Sequence, residues 1–82
     1  MDENELKALR WRCRRGMQEL DILLSRFLER DFADQAEPVQ EAFRGLLDSE
    51  DDVLWDWLSG RAQPDDEELR DVVRRVRQTV AD

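Results

Sequence analysis

Apolar residues recur along this chain every three or four positions and almost nowhere at every second position. That spacing belongs to amphipathic helices rather than strands. Leu6, Leu9 and Cys13 form a first stripe. The second is the clearest: Leu20, Leu23, Leu24, Phe27 and Leu28 follow i, i+3, i+4, i+7 and i+8, with Phe32 just beyond. A third opens at Pro38, a residue favoured at a helix start, and carries Val39, Ala42, Phe43, Leu46 and Leu47. The fourth is short, with Val53, Leu54, Trp57 and Leu58. Ser49 and Asp52 stand before it at capping-box spacing, and Gly60 follows it as a helix-ending residue. The fifth comes after Pro64, with Asp65 as N-cap and Glu68 three residues on, and runs through Leu69, Val72, Val73, Val76 and Val80.

The pattern predicts an all-α protein: a compact five-helix bundle in a single domain over residues 1–82. Its helices are expected at about 4–15, 17–32, 38–48, 51–59 and 65–80. The connectors are short, and no linker or repeat interrupts them. Helices of this length are marginal in water until their stripes pack together. The second stripe offers the most apolar surface and is expected at the centre. Burying each of its Leu or Phe side chains is worth roughly 1.5–3 kcal/mol, which accounts for the stripe without any ligand.

Composition narrows the function. With 82 residues, 40% hydrophobic and 41% charged, the chain suits one small folded domain. Thirteen basic against twenty-one acidic residues leave a net charge of −8, which opposes general binding to nucleic acid or anionic membranes. No apolar run approaches the ~18 residues of a membrane span, and no signal-peptide core is present, so no membrane insertion and a cytoplasmic location are expected. Cys13 is the single cysteine, which rules out an internal disulfide and a thiolate metal cluster. Histidine and tyrosine are absent, so the commonest general base and metal ligand are missing. There is no Gly-rich phosphate loop. The expectation is a protein that is not an enzyme, with no catalytic residue, no metal and no cofactor held stably by this chain.

The stretch around Gly16 gathers Arg12, Arg14 and Arg15 before the glycine and Glu19 and Asp21 after it. One account is local helix punctuation. The arginines would sit in the last turn of helix one, each favoured there by about 0.3–1 kcal/mol. Gly16 would supply a positive φ, and Glu19, third in helix two, would cap it. Trp11 does not fit that account. It lies about 160° around the helix from Leu9, among Lys7, Arg14 and Arg15. Either the segment before Pro38 or the C-terminal helix covers it, or it stands exposed and stacked on arginine, a pairing enriched at binding hot spots. Cys13, Phe27, Phe43 and Trp57 are expected in the core; Trp55 lies off its stripe.

Two blocks in this sequence carry a family resemblance. Arg15-Gly16-x-x-Glu19 is the first, and Asp51-x-x-Leu54-x-x-Trp57-Leu58 the second, followed by Pro64, Glu68-Leu69 and a valine-rich end. In this order, over nearly the whole chain, they resemble the succinate dehydrogenase flavinylation factors of the bacterial SdhE type. The resemblance implies a five-helix fold and a role in assembling respiratory complex II. Such a protein binds the flavoprotein subunit of succinate dehydrogenase, or of fumarate reductase, and promotes covalent attachment of FAD to a histidine of that subunit. FAD is then the partner's cofactor. Carried over by position, Arg15, Gly16 and Glu19 are the expected contact site, flanked by Trp11, Arg14 and Met17, with Asp51 from the second block. The chain departs from the family at Val53, where an acidic residue often precedes the leucine; either Asp51 takes over that role or the block is purely structural. The free protein is expected to be a monomer.

Two other classes compete. An antitoxin-like or regulatory module that neutralises a protein partner would also suit the acidic charge. Nucleic-acid binding through Lys7, Arg10, Arg12, Arg14 and Arg15 is opposed by the −8 background.

Overall fold

The computed structural model describes residues 2–79, and the apolar stripes lie on five helices. These are α1 (Glu3–Arg12), α2 (Gln18–Arg30), α3 (Glu37–Leu46), α4 (Asp51–Leu58) and α5 (Glu67–Gln78), with a 3-10 turn at Phe32–Asp34 between α2 and α3. No strand occurs among the described residues.

Local hydrogen bonding explains where the helix ends depart from the periodicity. Asp2 caps α1 by accepting from the Glu5 amide at 2.7 Å. The helix stops at Arg12, not at residue 15. The Cys13 amide reaches back to the carbonyls of Leu9 and Arg10 at 3.0 and 3.2 Å, and that of Arg14 to Trp11 at 3.1 Å, a tightened last turn. Helix α2 ends at Arg30, and Phe32 enters the core from the 3-10 turn instead. Gln40 holds that turn by donating to the Phe32 carbonyl at 2.9 Å. Pro38 lies in the first turn of α3, as its missing amide proton favours. The Ser49/Asp52 capping pair does not form: Glu50 is the N-cap residue of α4, and Asp52 accepts from the adjacent Val53 amide at 2.9 Å. On α5 the cap is Asp66 rather than Asp65, accepting from Glu68 at 2.8 Å, so the helix begins at Glu67. Gly60 takes φ of 89° just after α4, the left-handed conformation for which glycine is favoured. Val80 lies outside the described residues.

The core joins all five stripes. Phe27, Phe32, Phe43, Leu20, Leu24, Leu46, Leu54, Val72, Val76 and Cys13 are fully buried. The Phe43 ring lies 5.0 Å from Phe27 and 5.4 Å from Phe32, centroid to centroid, in tilted contacts. Helix α2 touches α1, α4 and α5, and α3 packs along α5. Trp55 and Trp57 are both half-buried against this core. Arg44 ties α3 to α1 through Glu5 at 2.6 Å. A radius of gyration of 11.6 Å matches the ~12 Å of a compact domain of this length.

Candidate docking site

Between α1 and α2 the chain bends through residues 13–17, and Arg15 holds the bend from inside. Its side chain is only 14% exposed. The guanidinium donates to the Arg12 carbonyl at 3.1 Å, to the Ser49 carbonyl at 3.0 Å and to the Leu47 carbonyl. Arg12 ends α1 and Leu47 caps α3, so these are carbonyls that a helix end leaves without intrahelical partners. A cation at that position also meets the negative end of each helix. One Nη lies 3.4 Å from Asp51, whose other carboxylate oxygen accepts from the Gly16 amide at 3.1 Å. The Arg15 amide donates to the Asp21 carboxylate. One arginine and two aspartates thus fasten the bend to the α3–α4 connector and the first turn of α2.

The arginines do not fill the last turn of α1 as punctuation predicts; of the three, only Arg12 lies there. Nor does Gly16 adopt a positive φ, which among the glycines belongs to Gly60. A Cβ at Gly16 would meet nothing closer than an Asp51 oxygen at 3.6 Å, an ordinary contact. Neither backbone strain nor crowding inside this molecule requires a glycine there. Glu19 is the second residue of α2, not the third, and its side chain makes no hydrogen bond or ion pair among the described residues. Met17 occupies the N-cap position without a side-chain cap and is half-buried against the core.

Trp11 is not covered: it is 71% exposed, with the Arg14 guanidinium 5.7 Å from its ring centroid. Ile22 and Val53 are exposed as well. Two other arginines of α1 are paired. Arg10 pairs with Glu29 at 2.7 Å, and Arg12 with Asp48. Cys13, fully buried behind the bend, has its thiol pushed up to about 11 by burial, against the opposing pull of Arg15 and Arg12.

The structure therefore brings Trp11, Arg14, Arg15, Gly16, Met17, Glu19 and Asp51 to one bend, with Arg15 and Asp51 as its internal brace and Trp11, Gly16 and Glu19 exposed. Leu47, Ser49 and Asp21 complete the brace. The first two act through backbone carbonyls, which no side-chain pattern advertises. Asp21 was visible only as half of an acidic pair. Among the described residues no three or more Cys, Asp or Glu side chains gather as a metal site. No described helix is long and apolar enough to cross a membrane.

The sequence profile described as "Flavinator of succinate dehydrogenase" matches residues 7–80, from the middle of α1 past the end of α5. The chain belongs to the Sdh5 family. Three relatives are similar over most of their own length. The FAD assembly factor SdhE of Coxiella burnetii is 46% identical over 72 residues, covering 88% of each chain. That of Pseudomonas aeruginosa is 43% identical over 75 residues, 92% of this chain and 89% of the relative. That of Legionella pneumophila is 40% identical over 77 residues, 94% of this chain and 96% of the relative. The Sdh5 match includes the bend, its Asp51 brace and the whole of α4.

Proposed function

We propose that this chain is an assembly factor that docks through the α1–α2 bend on the flavoprotein subunit of succinate dehydrogenase, or of fumarate reductase, and promotes covalent attachment of FAD there. The observation that carries the reading is Gly16. The fold makes no use of its missing side chain, while Trp11, five residues before it on α1, is 71% exposed and the Glu19 side chain is unpaired. A glycine that the monomer does not need suits the close approach of a second backbone.

The chain contributes no reacting group. It has no histidine, so it is not the acceptor of a histidyl-flavin bond. The bend does not suit a dinucleotide phosphate either: the amides of Arg15 and Gly16 are taken by Asp21 and Asp51, and the Arg15 guanidinium by carbonyls. On this reading FAD is the partner's cofactor. Covalent attachment brings an acceptor histidine to the 8α-methyl of the flavin. A protein without catalytic groups promotes that step by binding the partner conformer in which the two meet better than any other conformer. Trp11 and Met17 supply apolar contact, and Glu19 meets a cation of the partner. Arg15 keeps the bend in shape rather than reaching outward. The chain acts in the cytoplasm and is a monomer when free.

Covalent flavin in the dehydrogenase subunit, read as in-gel fluorescence with and without this chain, tests the role directly. Gly16→Arg tests the surface: the circular dichroism spectrum stays native, because the position has room, while capture of the flavoprotein is lost. Native folding together with normal capture would overturn the surface. Glu19→Ala separates docking from helix capping. With no cap bond to lose, the melting temperature stays within the small range of surface substitutions, and capture weakens. A drop of a capping residue's size, roughly 0.5–2 kcal/mol, with capture intact would return Glu19 to a local role.

A further inference from the structure

At the other end of α4 a groove of about 550 Å³ runs between the α4–α5 connector and α5. Trp57, Pro64 and Val73 are among its apolar lining, and Arg70, Arg74 and Arg77 among its charged lining. The three arginines stand at i, i+4 and i+7, so they share one face of α5 and climb it by about 6 Å and then about 4.5 Å. Gly60 turns the connector with φ of 89°, and the Arg77 guanidinium lies over it; a Cβ there would come within 3.0 Å of a guanidinium nitrogen. The glycine leaves Arg77 its place. The Arg77 side chain has neither a hydrogen bond nor an ion pair among the described residues. Arg70 makes a long bond to the Pro64 carbonyl, 3.5 Å. Glu67 and Asp71 also line the groove, but Asp71 is shared by Arg74 and Arg75, whose hydrogen bonds hold its carboxyl below the usual range. On a molecule of net charge −8, this is a local reversal of sign beside a half-buried indole.

We propose that the α4–α5 groove is a second docking site, which takes an acidic stretch of a partner polypeptide in extended conformation. Alternate side chains of an extended strand lie about 6.6 Å apart, close to the ~6 Å step from Arg70 to Arg74. Guanidinium forks pair with carboxylates in two-point contacts that a point charge does not match. Trp57 adds apolar surface to the same groove. The groove lies a helix length, about 10 Å, from the Arg15–Asp51 brace, and the proposal does not depend on what docks at the bend.

The test is titration of the isotope-labelled chain with a synthetic peptide that alternates glutamate and serine, followed by amide and indole NMR shifts. Saturable shifts are expected at the Trp57 indole, Gly60 and the amides around Arg77, weakening as salt is raised. Reversing charge in the double variant Arg70→Glu, Arg77→Glu should lower affinity by at least about tenfold. Arg74→Ala, at an exposed side chain, gives the same direction of change should the double variant fail to fold. Absent shifts, shifts confined to residues 11–19, or undiminished binding by folded variants would overturn the proposal. So would equal binding of a peptide with lysine in place of glutamate. Tighter binding of an oligonucleotide of equal charge would make this a phosphate site and overturn it too.

Discussion

Cys13 is the smallest group with a measurable signature. It sits on the apolar stripe of α1 and is fully buried, and that burial, more than the nearby charges, raises its thiol to about 11. A thiol with that value is protonated at neutral pH and inert, since the thiolate is the reacting form. Alkylation at pH 8 should therefore be slow in the folded protein and fast after denaturation, as mass spectrometry would read. The sign for stability follows from the same shift. The unfolded chain releases this proton near its ordinary 9.0 and the folded one only near 11, so stability falls as pH rises through that interval. Rapid alkylation of native protein would show that α1 opens locally. Gly16 is a residue-scale lesson of the opposite kind. Its presence in the sequence was plain, but its reason was not. Only the backbone angles and the ordinary contact an added Cβ would make separate a turn-forming glycine from one the fold does not need.

At the scale of elements, the apolar periodicity located all five helices, because burial of each stripe decides whether so short a helix forms. Their ends were less legible. The spacing to Glu68 points to Asp65 as the cap of α5, but it is the Asp66 carboxylate that reaches the Glu68 amide. The charge pattern carries α1 past its end at Arg12 for a related reason. Arg14 and Arg15 look like a cationic last turn, yet Arg15 serves better outside the helix, where it reaches the carbonyls ending α1 and α3 together. That brace carries a prediction. Arg15→Ala leaves the Leu47 and Ser49 carbonyls without their donor and should cost roughly 2–4 kcal/mol, read as a lower urea midpoint. Arg15→Lys should recover only part of it, because one ammonium does not span carbonyls that a planar fork reaches together. A midpoint unchanged by Arg15→Ala would mean that the bend stands without its brace.

Over the whole molecule, charge and exposed apolar surface work against each other. Trp11, Ile22 and Val53 remain exposed on a chain of net charge −8. Mutual repulsion keeps copies apart at neutral pH and fades as pH approaches the isoelectric point near 4.5. Self-association should rise there, and Trp11→Ser should blunt it, as analytical ultracentrifugation would report. A wild-type chain that stays monomeric through that range would show that the exposed indole is not sticky. Overall charge was legible in the sequence, but its distribution was not. Arg10, Arg12 and Arg15 end up tied to Glu29, Asp48 and Asp51, whereas Arg70, Arg74 and Arg77 of α5 line one groove. Only folding decides which acid reaches which base.

The brace inside the bend has a kinetic consequence. A surface held rigid before any encounter surrenders little freedom on contact, so the ordering cost that flexible loops bring to association is small here. A visitor meets a finished shape and has no rearrangement to wait for. How long it stays, more than how often it arrives, then sets the strength of the union.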